Sequence, residues 1–156
     1  MSVENLPDKI MASVQEIFSS MVVMDILPGA PILGEINPLQ STITGMIGLA
    51  GTHKGMLAIH LPEALAKKVT GNFLGMDVDE IDNDVQDAIG ELANMLGGSI
   101  KAILSENGKD IKLSMPSTIC GQEYRFQSHY EGESVIVPFA AEDSQFLVEL
   151  RIKKED

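Results

Sequence analysis

Four residues of this chain have types and a spacing suited to contact chemistry. Asp87, Glu91, Asn94 and Gly98 recur at i, i+4, i+7 and i+11 within DAIGELANMLGGSIKAIL, Asp87 to Leu104. At about 100° per residue, that spacing lays them along one side of a helix. Val85, Ile89, Leu92, Leu96, Ile100 and Ile103 fall on a narrow apolar arc on the other side. A solvated helix face usually carries Lys, Glu, Gln and Ala. Two acids, a carboxamide and a bare glycine in a row form a ridge built to be touched. Glu91 and Asn94 stand three apart and so project as surface neighbours. A carboxylate is an acceptor-only anion that can grip an ammonium group, whereas a carboxamide both donates and accepts hydrogen bonds. Asp87, one turn earlier, is favoured near a helix N-terminus by the dipole.

Gly97 and Gly98 add to the pattern. A glycine inside a helix costs roughly 1 kcal/mol relative to Ala. Two in succession call for a close approach of the backbone or for a bend. Gly98 lies on the ridge one turn beyond Asn94, where a partner surface could press down. Gly97 lies nearer the side, where it could serve close packing. The pattern leaves a kink or a tight internal contact equally open.

The ridge implies elements that hold it in place. An amphipathic helix is expected over Leu6 to Met21, from the recurrence of Ile10, Val14, Ile17, Phe18 and Met21, with Pro7 in its first turn. Pro28, Gly29 and Pro31 end that pattern, and Ile32 to Ile36 is a short strand candidate. Thr42 to Leu49 and Gly55 to Leu61 form a hairpin around Gly51 to Lys54. Pro62 to Leu74 is a helix followed by Gly75, and an acidic lead-in, Asp77 to Asp84, offers Asp82 or Asp84 as the cap of the ridge helix. Asn107-Gly108 is expected to end it. Strands are expected over Ile111 to Met115, Arg125 to His129, Ser134 to Ala140 and Phe146 to Ile152, with turns at 131–133 and 142–144.

Glu91-Leu-Ala-Asn94 with Gly98, preceded by Asp87 and Gly90, resembles the signature helix of the CheC/CheX/FliY phosphatases of bacterial chemotaxis. The resemblance extends to the order of elements: an N-terminal helix, a Gly-rich hairpin, a short helix opening with Leu61-Pro62-Glu63, the ridge helix and a β-rich C-terminal half. It implies hydrolysis of the aspartyl phosphate of a receiver domain such as CheY. It implies that Glu91 pairs with a receiver lysine and that Asn94 places the attacking water. Mg²⁺ and the phosphorylated Asp then belong to the receiver, and this chain binds no cofactor of its own. The residue types suit those roles. Phosphoryl transfer is mostly positioning and charge stabilisation, and a carboxamide holds a water without adding charge beside an anionic phosphoryl group. Members with two centres carry Glu-x-x-Asn twice. Here Glu16 can be laid on Glu91, but Ser19 stands where the asparagine would be. The chain thus looks like a CheX-like member with one centre, for which a homodimer is expected.

Composition narrows the alternatives. The 156 residues suffice for a single domain, 1–156, with a real core. A net charge of −12 argues against nucleic acid and anionic lipid as partners. No apolar run is long enough to span a membrane, and the start MSVENLPDKI lacks the parts of a signal peptide. The lone Cys120 excludes an internal disulfide and fits a reduced, cytoplasmic setting. His53, His60 and His129 have no metal-ligand spacing, so no metal site is expected. The glycines of the hairpin, Gly45, Gly48, Gly51 and Gly55, form no phosphate-loop pattern and mark tight packing instead. The expected architecture is an α/β (α+β) sandwich, a mostly antiparallel sheet with long helices packed on it. The rival reading is a non-catalytic module that binds a receiver or switch protein through the same face.

Overall fold

The computed structural model describes residues 5–126 and 132–155. α1 spans Leu6–Ile17 and continues into a π-helical turn, Phe18–Val22. There follow β1 (Ile26–Pro28), the hairpin β2 (Leu39–Gly51) and β3 (His53–Pro62), α2 (Glu63–Leu74) and α3 (Asn83–Leu104). The C-terminal part supplies β4 (Ile111–Leu113), β5 (Ser117–Tyr124), β6 (Glu133–Ala141) and β7 (Ser144–Lys154). All named pairings are antiparallel. The strand order is β1-β6-β7-β3-β2-β4, with β5 also paired to β2. The expected antiparallel sheet with packed helices is therefore present.

Alternation builds the core. Ile43, Ile47, Leu57, Ile59, Leu61, Val148 and Leu150 occupy alternate positions of β2, β3 and β7 and are buried, as period-2 patterning requires. Onto this face the helices lay their apolar stripes. α1 contributes Leu6, Ile10, Val14 and Ile17; α3 contributes Val85, Ile89, Leu92, Leu96 and Ile100. Phe18, just past α1, stacks on Phe146 with ring centroids 4.9 Å apart, and Phe146 stacks on Phe139 at 5.0 Å. That ladder ties α1 to β6 and β7.

Four sequence expectations are corrected. The first helix leaves α geometry after Ile17, where the hydroxyls of Ser19 and Ser20 both donate to the Glu16 carbonyl; such bonding to the preceding turn bends helices. Residues 32–36 form no strand. Ile32 makes one isolated bridge to Ile136, Gly34 turns at φ +92°, and Leu33 is 93 % exposed. β1, Ile26–Pro28, forms earlier instead. The ridge helix ends at Leu104 with Ser105 as its cap, before Asn107-Gly108. In the C-terminal half, the strand is Ser117–Tyr124. Of the expected Arg125 to His129 strand, Arg125 and Phe126 are outside any strand and 127–129 lie outside the described residues. β5 carries no apolar alternation because it is an edge strand, largely exposed along its length.

Candidate functional site

The ridge helix begins where an acid caps it. The Asp82 side chain accepts from the Val85 backbone N–H at 3.1 Å, so Asp82, not Asp84, is the cap. Such a cap satisfies one of the donors that a helix start leaves free. The helix then runs unbroken for 22 residues. Gly97 and Gly98 therefore cause no break in the helix.

The two glycines do different work. A Cβ added to Gly97 would lie 2.9 Å from Cγ2 of the buried Ile47 on β2. One added to Gly98 would meet nothing within 4 Å. Gly97 is a packing residue and Gly98 an open one. A third glycine answers from the sheet: a Cβ on Gly45 would sit 2.8 Å from the Ile89 carbonyl oxygen and 3.3 Å from the Ala93 Cβ. The helix thus rests directly on β2 through backbone contact at one end and Gly97 at the other.

This seating turns the ridge outward. Asp87, Glu91 and Gly98 are exposed, and Asn94 is half-buried. The ion pairs among the described residues are His60–Glu149, Lys68–Glu142 and Arg151–Glu149, none of which involves the ridge. No side chain among the described residues hydrogen-bonds Asp87, Glu91 or Asn94 either. The structure therefore brings all four predicted residues to one face, and the side chains of Asp87, Glu91 and Asn94 have no hydrogen-bond or ion-pair partner among the described residues.

Sequence reasoning missed the flank of the ridge. Gly90 is buried, and its added Cβ would meet Thr118 Cγ2 at 3.7 Å and Pro116 Cβ at 3.9 Å. The β4–β5 connection therefore borders the ridge along its Asn94 side. Nothing in the sequence could reveal that, because the contact joins residues about one helix and one loop apart.

Other candidates fall away. Among the described residues no group of three or more His, Cys, Asp and Glu could hold a metal ion. His60 is buried with Nδ1 at 2.7 Å from Thr44 Oγ1 and Nε2 at 3.2 Å from Glu149 Oε1, a satisfied internal network. Burial pushes the Glu149 carboxyl up, but hydrogen bonds from His60 and Arg151 outweigh it and hold the group below its ordinary value. Desolvation, with the Lys154 charge, lowers the pKa of His53. An open groove of about 890 Å³, lined in part by Val23, Lys67, Lys68, Met76 and Glu142, contains none of the ridge residues. At the place of the possible repeat, the Ser19 hydroxyl is spent on the Glu16 carbonyl, and α1 carries no second ridge of the same kind. No helix among the described residues is long and apolar enough to cross a membrane.

An antiparallel sheet carrying a long helix, with Glu91 and Asn94 on that helix's outward side, places the chain among the α+β proteins. Comparison with known proteins agrees. Residues 43–140 match the family model described as chemotaxis phosphatase CheX. The CheY-P phosphatase CheX of Thermotoga maritima is 25% identical over 120 residues, covering 76% of this chain and 77% of that protein. A CheC-like superfamily protein of Shewanella sp. PV-4 superposes with a TM-score of 0.86 at 28% identity, over 98% of this chain and 99% of the other. The chemotaxis protein CheX of Vibrio vulnificus superposes with a TM-score of 0.84 at 26% identity, over 94% and 97%. The chain belongs to the CheX family of chemotaxis phosphatases.

Proposed function

We propose that this protein hydrolyses the aspartyl phosphate of a CheY-like receiver domain. The observation that carries the reading is the outward ridge of Asp87, Glu91, Asn94 and Gly98 on a helix seated closely on β2 at Gly45 and Gly97. The name of the Thermotoga relative, a CheY-P phosphatase, supports it.

The chemistry follows from the side chains. Glu91 grips a lysine ammonium of the receiver and fixes the encounter. Asn94, one helical step away, enters beside the phosphoryl group. Its carboxamide oxygen accepts from a water and its NH₂ donates to a phosphoryl oxygen, placing the water in line. The water oxygen bonds to phosphorus as the bond to the Asp oxygen breaks; the carboxylate leaves and inorganic phosphate forms. Charge compensation comes from the receiver's own Mg²⁺, and this chain contributes position. Gly98 lets the receiver approach close to the helix backbone, and Asp87 adds negative potential at the rim. The protein works in the cytoplasm as a homodimer; β5, paired on one side only among the described residues, is an edge that a second copy can cover.

The test is decay of a phosphorylated receiver, with Mg²⁺, in the presence of wild type, Asn94→Ala and Glu91→Lys. Wild type accelerates decay. Asn94→Ala loses about a hundredfold or more in kcat while binding the receiver nearly as well, because it removes a group that acts in the transition state. Glu91→Lys weakens the encounter itself. If both variants change only binding, or if wild type binds without accelerating decay, the protein is a binding module and not a phosphatase.

A further inference from the structure

We propose that Met115 is a specificity-determining contact for the receiver, standing beside Asn94 at the rim of the site. The inference rests on the receiver-phosphatase reading and extends it to a residue outside the ridge.

The β4–β5 connection runs along α3 in the opposite direction. At one end Leu113 Cδ1 lies 3.7 Å from the position of a Cβ on Gly97; at the other, Pro116 Cβ lies 3.9 Å from that of Gly90. On a helix of about 100° per residue, positions 90 and 97 lie on the same side of position 94, within about 60° of it. Asn94 sits between them in height. Ser114 and Met115 therefore pass the level of Asn94, on the side away from Glu91.

The mount of Met115 is fixed although its side chain is not. The Ser114 N–H donates to the Gly48 carbonyl at 2.9 Å, and the Gly48 N–H donates to Ser114 Oγ at 2.8 Å. Ser114 Oγ in turn donates to the Met115 carbonyl at 3.0 Å. Gly48 leaves room for this hydroxyl, since a Cβ there would lie 3.3 Å from it. Pro116 then fixes the next φ. Yet the Met115 side chain is 86 % exposed. A large apolar side chain held in water by an anchored backbone is poor economy for folding alone. Beside a polar ridge it supplies what Glu91 and Asn94 lack, an adaptable apolar contact that closes the edge of the interface. The occupant is the receiver surface next to its phosphorylated Asp, because the patch is continuous with the ridge that the receiver covers.

The experiment compares steady-state dephosphorylation of the receiver by wild type, Met115→Asp, Met115→Leu and Leu33→Asp, with Asn94→Ala as the catalytic zero. Leu33 is a control of like exposure, 93 %, in the segment that touches β6 rather than α3. Met115→Asp raises KM about tenfold or more with kcat nearly unchanged, as loss of uniform binding does. Met115→Leu restores KM, and Leu33→Asp leaves both constants at wild-type values. Thermal melts and light scattering of Met115→Asp match wild type, since the side chain touches no core. An unchanged KM in Met115→Asp overturns the assignment. So does a changed oligomeric state, which would give the patch to a second copy of this chain. If wild type fails to exceed Asn94→Ala, the phosphatase reading itself falls, and this inference with it.

Discussion

Asn94 carries a carboxamide and Glu91 a carboxylate on a side chain one methylene longer, and in the proposed roles the head groups give different kinetic signatures. A carboxamide that orients water acts only as the bond to phosphorus forms, so its loss appears in kcat. A carboxylate that grips a lysine acts in the encounter, so its loss appears in KM and in salt sensitivity, because exposed charge pairs are screened. Raising ionic strength should therefore weaken receiver binding by wild type more steeply than binding by Glu91→Ala, which keeps Asp87; equal slopes in a titration would remove Glu91 from the contact. The neighbouring glycines separate in the same way. Gly98→Ala should stabilise the protein by about 1 kcal/mol, the helix propensity difference, because its Cβ meets open space. Gly97→Ala should destabilise by about 1–3 kcal/mol by overpacking against Ile47. Urea unfolding checks both, and two changes of the same sign would refute the division of roles.

At the scale of elements, α3 is a beam with one capped end and one close-packed face. Asp82→Ala removes the cap and should cost about 1 kcal/mol of stability, read as a lower Tm. Gly45→Val tests the seat. Its side chain would meet the Ile89 backbone oxygen, already within 2.8 Å of a bare Cβ. Because backbone cannot rotate away, α3 must lift from β2, and the ridge would move with it. Activity should then fall more than Tm alone explains. A melt and a decay assay on the same sample decide the point, and a Gly45→Val protein with wild-type kcat would show that the seating is not needed.

For the whole molecule, buried ionisable groups set the pH range of the fold. His53 is 3 % exposed and its Nε2 has no hydrogen-bond partner among the described residues. Its pKa lies below the ordinary 6.5. The unfolded chain therefore takes up the proton first as pH falls, and stability declines from about pH 6.5 downward. Glu149, held below its ordinary 4.5, adds a second decline as pH falls through the acid range. Tm measured from about pH 7 to 5 should drop in wild type and drop less in His53→Leu; parallel profiles would clear His53 of the effect.

The periodicity of α3 was legible without a structure, because a ridge and an apolar arc at 3.6-residue spacing are local properties of the chain. So were the β2–β3 hairpin, α2 and the spacing of Glu91 and Asn94. The polar edge strand β5 was not legible, since its pairing with β2 carries no burial pattern. Nor could the sequence separate the glycines: Gly97 and Gly98 are the same residue until Ile47, fifty positions earlier, lies against one of them. The placement of Pro116 against Gly90 belongs to the same category. Side-chain chemistry and helical phase are written in consecutive residues. Which surface faces inward, and what borders the site, depends on contacts between distant residues that exist only when the sheet has closed beneath the helix.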